Sequence, residues 1–433
     1  MADIAGIPFI EASFDKDGNV QNDVQIPAGT TDLFIISHGW NNDNDEARRL
    51  YTELFTNFAA ISSNAGLDNR KMAIVGVFWP SKQFDERVAV EGTGAIAGGG
   101  GAGIGGEEDE ESADAVKEKL ERMKVLLNEP KETAQLDEAK NLVGRLETDP
   151  EARREFVEKI RSLLDPGESS DGDASEVFFE ADAEEIMEEL KLPEEDLGDD
   201  LAPEGGASFI GVGAPQQAEV AAGLTEFFAG FKASAMNLLN YTTYYVMKER
   251  AGTVGRKGVA PLIDQAARTT QRIHLVGHSF GGRLVTAAAA SSTTDCIKSM
   301  VLLQAAFSHN GFSRSLNGFF RKVVDDRRVD GPIIITHTKN DRAVGIAYPI
   351  ASRLVGQKAA ALGDENDVFG GIGRNGAQKL EPGETVKAAL LDVDGDYALS
   401  AGKLFNLEAS AFIKDHGDVR GRQVAYAIFS AIK

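Results

Sequence analysis

Arg272-Ile273-His274-Leu275-Val276-Gly277-His278-Ser279-Phe280-Gly281-Gly282-Arg283-Leu284-Val285-Thr286 is the stretch whose reading decides the fold. Its first five residues are a short apolar run of the kind that fills a strand buried on both faces. Residues after Gly282 run into alanines and read as a helix packed closely on a sheet. Between them lies G-x-S-x-G, and a serine at a strand-to-helix junction sits at the crest of a sharp turn with its hydroxyl exposed. The helix that begins there directs its unpaired N–H groups and positive dipole end toward any oxyanion formed at Ser279. The plain alternative is a tight turn of no chemical consequence, and the correct flanks on both sides favour the nucleophile.

A nucleophilic serine needs a base, and the base needs an orienting acid. The chain has six histidines. His274 lies inside the strand before the elbow and His337 inside Pro332-Ile333-Ile334-Ile335-Thr336-His337, so both read as core or sheet-edge side chains. His278 adjoins the serine, and its side chain should leave the turn in another direction. His38 comes too early where acid and base follow the nucleophile in the chain. His309 and His416 remain. Position favours His416, in a loop between the apolar Ala411-Phe412-Ile413, read as a strand, and a final helix. Asp341, directly after the apolar run 332–338, is the expected acid; its bland reading is a turn-forming residue after Asn340.

The early strand Asp32-Leu33-Phe34-Ile35-Ile36-Ser37 ends in His38-Gly39-Trp40-Asn41. A glycine there lets the backbone approach a scissile carbonyl, which nominates the Trp40 N–H, with the Phe280 N–H, as oxyanion donors. A second buried strand over 72–78 runs into Trp79-Pro80-Ser81, where Trp79 is core by default and a wall of the site by position.

These three segments, His38-Gly39-Trp40-Asn41, Trp79-Pro80-Ser81 and Gly277-His278-Ser279-Phe280-Gly281-Gly282, resemble the α/β-hydrolase superfamily. They are most similar to a bacterial group of serine hydrolases with HG-(aromatic)-N, WPS and GHS-x-G motifs. The resemblance covers roughly residues 1–85 and 235–433. It implies an α/β fold with a mostly parallel, doubly wound sheet, and a Ser279, Asp341, His416 triad with Trp40 and Phe280 as oxyanion donors. It also implies a substrate pocket near His38, Gly39, Asn41, Trp79, His278 and His309, and acyl-transfer chemistry on a small-molecule ester without metal or organic cofactor. Carboxylesterase or lipase-like hydrolysis is the expected activity. Thioesterase or acyltransferase chemistry fits the same triad, and a non-catalytic scaffold on the same fold is the rival from another class.

The net charge of −23 is local. Residues 107–204 hold 34 acidic and 12 basic side chains, so nearly all of the excess lies there. Halophilic adaptation would spread the charge, and such an acidic segment repels a phosphate backbone, so no nucleic-acid partner is expected. The segment follows an early strand and begins with an uncharged, glycine-rich run over 92–106, read as a hinge. Short amphipathic helices follow: 112–127 with Val116, Leu120, Met123 and Leu127 on one face; one opened by Asp149-Pro150 and striped by Phe156, Val157, Ile160, Leu163 and Leu164; and a third over 183–192. The expected organisation is a hydrolase core from 1–85 and 235–433 around a helical, acidic cap over 86–234. An apolar stripe, Val220, Leu224, Phe227, Phe228 and Phe231, continued by Leu238 to Met247, joins the two. Neither Asp15-Lys16-Asp17-Gly18-Asn19 nor the loop after Asp165 has a calcium-loop glycine at the required place, and the former reads as a hairpin turn. With one cysteine, Cys296, no signal-like N-terminus and no apolar run of about 20 residues, a cytoplasmic protein without a membrane span is expected.

Overall fold

In the computed structural model the described residues are 2–62, 69–81, 107–166, 175–191, 230–341 and 369–433. The chain divides into two compact units, one formed by residues 1–81, 247–345 and 363–433, the other by 82–246 and 346–362. The glycine-rich run 92–106, the residues Val220 to Phe228 and most of the loop after Asp165 lie outside the described residues.

The first unit is built on a nine-stranded sheet. Its strands are β1 (Ala2–Ile4), β2 (Ile7–Ser13), β3 (Asp32–Ser37), β4 (Met72–Phe78), β5 (Arg272–His278), β6 (Ile297–Leu303), β7 (Ile333–His337), β8 (Thr385–Ala389) and β9 (Leu404–Glu408). They lie in the order β1-β2-β4-β3-β5-β6-β7-β9-β8, and only the β1–β2 pair is antiparallel. The fold is thus α/β with a mostly parallel sheet. The central strands are continuous runs of buried apolar residues, as expected where helices cover both faces. On one face, Phe34, Ile36, Val276, Val301 and Phe405 meet Tyr51, Leu54, Phe55 and Phe58 of the helix Asn44–Ser62 and Val424, Ile428 and Phe429 of the helix Arg422–Ile432. The helix Phe280–Ser291 packs on β3, β5 and β6, and against a π-helical turn, Val254–Val259.

Two polar residues begin the central strands and satisfy each other. Asp32, fully buried, accepts from Arg272 Nε at 2.7 Å and Nη2 at 2.8 Å, and its Oδ1 lies 3.3 Å from His274 Nε2. His274 Nδ1 is 2.8 Å from Ser299 Oγ. Burial alone would raise the Asp32 carboxyl, but Arg272 and His274 outweigh it and hold it far below the usual carboxylate range. The core reading of His274 holds.

One strand lies elsewhere than the sequence suggests. Ala411-Phe412-Ile413 is a turn, in which Phe412 N–H and Ile413 N–H both donate to Ala409 carbonyl, at 2.9 and 2.8 Å. The strand that presents His416 is β9, which begins seven residues upstream of the expected start. The hairpin reading of Asp15 to Asn19 agrees with the structure: Asp15 Oδ1 accepts from Asp17 N–H at 3.0 Å and Asn19 N–H at 2.8 Å.

The second unit is helical where it is described. Its helices are Glu107–Leu126, Pro130–Leu142, Pro150–Arg161, Ser175–Glu180, Ala183–Glu189 and the first part of Phe231–Thr253. The expected stripes form its core, with Val116, Leu120, Met123, Phe156, Val157 and Ile160 fully buried. Asp149 caps the third of these helices by accepting from Glu151 N–H at 3.0 Å, and Pro150 occupies its first turn, where no N–H is needed. The helix over 183–192 is shorter than expected, ending at Glu189. Arg153, buried, donates to both oxygens of Glu184 and to Leu146 carbonyl at 2.8 Å, tying the unit together. No helix among the described residues is long and apolar enough to cross a membrane.

Candidate active site

The direction of winding places the site before any side chain is considered. From β3 the chain moves outward to β4, and it then returns to the other side of β3 to lay down β5. The loops leaving β3 and β5 therefore diverge, opening a crevice at the carboxyl ends of these two strands, where open α/β sheets bind ligands. The His38 loop and Ser279 are what follow those two strands. Because Ser37 pairs with Gly277 in the parallel register, residues 38–40 and 278–280 emerge side by side.

Ser279 is strained. It has φ 55° and ψ −126°, a region that side-chain-bearing residues avoid at a cost of about 1–3 kcal/mol. The surroundings hold it there: Ser279 N–H donates to Leu303 carbonyl at 3.0 Å, and Ser279 carbonyl accepts from Ala306 N–H at 3.0 Å and Gly282 N–H at 2.9 Å. The glycines permit the crowding. A Cβ on Gly281 would lie 2.2 Å from Ser37 carbonyl oxygen, and one on Gly39 would lie 2.5 Å from Ser279 Cβ and 3.0 Å from its Oγ. The His-Gly loop thus rests directly against the candidate nucleophile. Trp40 and Phe280, the nominated oxyanion donors, follow Gly39 and Ser279 on the two loops, and their rings lie 6.1 Å apart between centroids.

Asp341 and His416 come together from the neighbouring parallel strands β7 and β9. His416 Nδ1–H donates to the carboxylate of Asp341, 3.0 Å from Oδ1 and 2.9 Å from Oδ2. Asp341 is fully buried and His416 nearly so. The two loops are also tied to each other, with Thr338 Oγ1 2.8 Å from Ser410 Oγ and Asn340 Nδ2 donating to Ile413 carbonyl at 3.0 Å. Burial alone would lower the His416 imidazole, yet the Asp341 charge and hydrogen bond prevail and raise it above the ordinary value of 6.5. The arrangement leaves His416 Nε2 as its basic nitrogen. Among the described residues, the Ser279 hydroxyl has no hydrogen-bond partner, so the serine and the histidine are not bonded to each other in this conformation. Such contacts commonly tighten only when substrate is bound.

The structure redistributes the residues expected to line a pocket. His38 is buried and stacked on Trp79, 5.7 Å between centroids and 14° from parallel. Its Nδ1–H donates to Gly39 carbonyl at 2.9 Å, while Nε2 accepts from Trp79 N–H at 3.4 Å. Trp79 Nε1–H returns a bond to His38 carbonyl at 3.1 Å. Burial pushes the imidazole down to about 4. With both ring nitrogens engaged, His38 ties the His-Gly loop to the Trp-Pro-Ser segment and has no nitrogen to offer a ligand; Trp79 is the core residue of its default reading. Asn41, at φ 59°, turns the loop away while its N–H donates to Ser81 carbonyl at 3.0 Å. His309 is buried beneath Gly370, and its Nδ1 lies 3.2 Å from Asn375 Nδ2. The Asp341 carboxylate is bonded to His416, which separates the two candidate bases. His278 directs its ring to the His416 loop, donating from Nε2 to His416 carbonyl at 2.8 Å.

Gln304 is a residue that sequence reasoning missed. It closes β6 with φ 43°, is fully buried, accepts from Thr336 Oγ1 at 2.5 Å and donates to Gly373 carbonyl at 3.1 Å. Leu303, just before it, and Ala306, two residues after it, supply the carbonyl and N–H that fix Ser279. A polar residue ending the apolar run Ile297–Leu303 was the signal available.

No family model matches the chain, and neither a curated protein nor a solved structure does.

Proposed function

We propose that the first unit is a serine hydrolase of the α/β-hydrolase type that cleaves carboxylic esters. The observation that carries the reading is the placement of a strained serine at a topological switch point, with a buried carboxylate–histidine pair presented from strands of the same edge. Strain at a hydroxyl-bearing residue is costly, and it is retained where a fixed orientation is required.

In this reading His416, its Nδ1–H held by Asp341, takes the Ser279 proton at Nε2 as the hydroxyl oxygen attacks the acyl carbonyl. The N–H groups of Trp40 and Phe280 stabilise the oxyanion. Collapse of the tetrahedral intermediate breaks the bond to the alcohol, which leaves with the proton from His416. Water, deprotonated by the same nitrogen, then releases the acid from Ser279. Asp341 stabilises the imidazolium that forms in each half-reaction.

The test is covalent labelling. A fluorophosphonate should modify the wild-type protein at Ser279 and leave Ser279→Ala unmodified. The same substitution should lower p-nitrophenyl acetate hydrolysis by roughly 10⁴-fold or more. A Ser279→Ala protein that keeps a tenth of wild-type turnover would place the reaction elsewhere.

A further inference from the structure

One buried imidazole beside the proposed triad has no part in the reaction just described. His278 is the last residue of β5, precedes Ser279 and is 7 % exposed. Its Nε2–H donates to His416 carbonyl at 2.8 Å, and the two rings lie 5.0 Å apart between centroids. We propose that His278 is a positioning residue that fixes the base through the base's own main chain.

The topology explains why such an anchor is needed. His416 is carried by the loop leaving β9, and the order β5-β6-β7-β9 puts three strand spacings between that loop's root and the serine. At about 4.8 Å per spacing the loop must reach roughly 14 Å across the sheet edge. It is fastened midway, where Asn340 bonds Ile413 carbonyl at 3.0 Å, and Asp341 holds the ring of His416. The bond from His278 fastens the loop on the serine side. His416 is therefore held at its side chain from β7 and at its main chain from β5, the strand that also presents the nucleophile.

The chemistry of the His278 ring points the same way. Donation from Nε2 leaves Nδ1 as an acceptor, and Nδ1 is buried without a hydrogen-bond partner among the described residues. A buried orphan acceptor is unfavourable, and an apolar side chain of similar size would avoid it. What the imidazole supplies that an apolar group lacks is the N–H at the reach of Nε2. Burial and the neighbouring His416 charge push His278 down to about 3, so it stays neutral and adds no charge beside the base.

The inference rests on the hydrolase reading, and the experiment separates the two. His278→Ala, His278→Asn and His278→Gln are compared with wild type for Ser279 labelling by a fluorophosphonate, for kcat and KM with p-nitrophenyl acetate, and for thermal unfolding. The Gln amide nitrogen reaches about as far as imidazole Nε2; the Asn amide reaches only as far as Nδ1. The Ala and Asn variants should lose about tenfold or more in kcat and in labelling rate, with KM within about twofold, because misplacement of a catalytic group acts on the chemical step. The Gln variant should stay within about threefold of wild type. Should the Ala variant fail to fold, the Asn–Gln comparison decides. Equal losses in Asn and Gln, or wild-type rates in all three, would overturn the proposal. A wild-type protein that neither labels nor turns over would overturn the hydrolase reading, and this inference with it.

Discussion

Asp341 meets His416 with both of its carboxylate oxygens, at 3.0 and 2.9 Å from Nδ1. An acceptor-only group in that place selects one imidazole tautomer. Asp341→Asn can present an N–H instead, favouring the tautomer whose free nitrogen faces the wrong way. Steady-state hydrolysis of p-nitrophenyl acetate should fall by about 10⁴-fold in this variant, with unfolding still cooperative. Turnover within tenfold of wild type would remove Asp341 from the triad.

The raised His416 imidazole fixes the sign of the pH response. As the proposed base, His416 works only when neutral, so the acid limb of kcat/KM should have its midpoint above the ordinary histidine value of 6.5, and Asp341→Asn should move any residual limb downward. The same shift stabilises the fold below the unfolded-state pKa, and that contribution is lost as pH rises through the folded-state value. A pH–rate profile on both proteins measures the first effect.

Gly39→Ala should strike activity harder than stability. The added methyl would lie 2.5 Å from Ser279 Cβ, so either the loop or the serine must shift. Crowding of this kind costs about 1–3 kcal/mol of stability, whereas a displacement approaching 1 Å costs about 10²-fold in rate. Paired urea titrations and ester assays give both numbers.

Ser279→Gly should be more stable than Ser279→Ala by about 1 kcal/mol. Alanine keeps the strained backbone at φ 55°; glycine relieves it, partly offset by the extra freedom glycine gains in the unfolded chain. Neither variant should hydrolyse ester. A Ser279→Gly protein less stable in urea than Ser279→Ala would show that the turn holds no strain.

Four of the nine strands, β3, β4, β5 and β7, were legible because they are short apolar runs with punctuated ends, and Trp40, Ser279 and Asp341 sit on loops that follow three of them. β9 escaped because Asn406 interrupts its pattern. That side chain is buried in the strand, its Oδ1 accepting from Ala377 N–H and its Nδ2 donating to Ala377 carbonyl, each at 2.9 Å, partners nearly thirty residues away. Phe412 and Ile413 mimic a strand locally, yet Ile413 reaches the core from a turn. β8, with an exposed Thr-Val-Lys-Ala-Ala sequence, has no alternation to read. For His38 and His278 the residue type was informative and the direction was not. Both were expected near a substrate, and each spends its ring on a neighbouring loop.

The strand that leads into His416 lies between two strands that precede it in the chain. Among the described strands β8 pairs only with β9, so until residues 404–408 are made β8 has no partner and β7 has one bare edge. This third of the sheet therefore cannot close before residues 404–408 are made, and its closure brings His416 to Asp341. A nascent chain that has not reached residue 404 carries Ser279 without His416, the base of the proposed reaction. Under the proposed function, the order of synthesis would leave a half-made chain unable to activate Ser279.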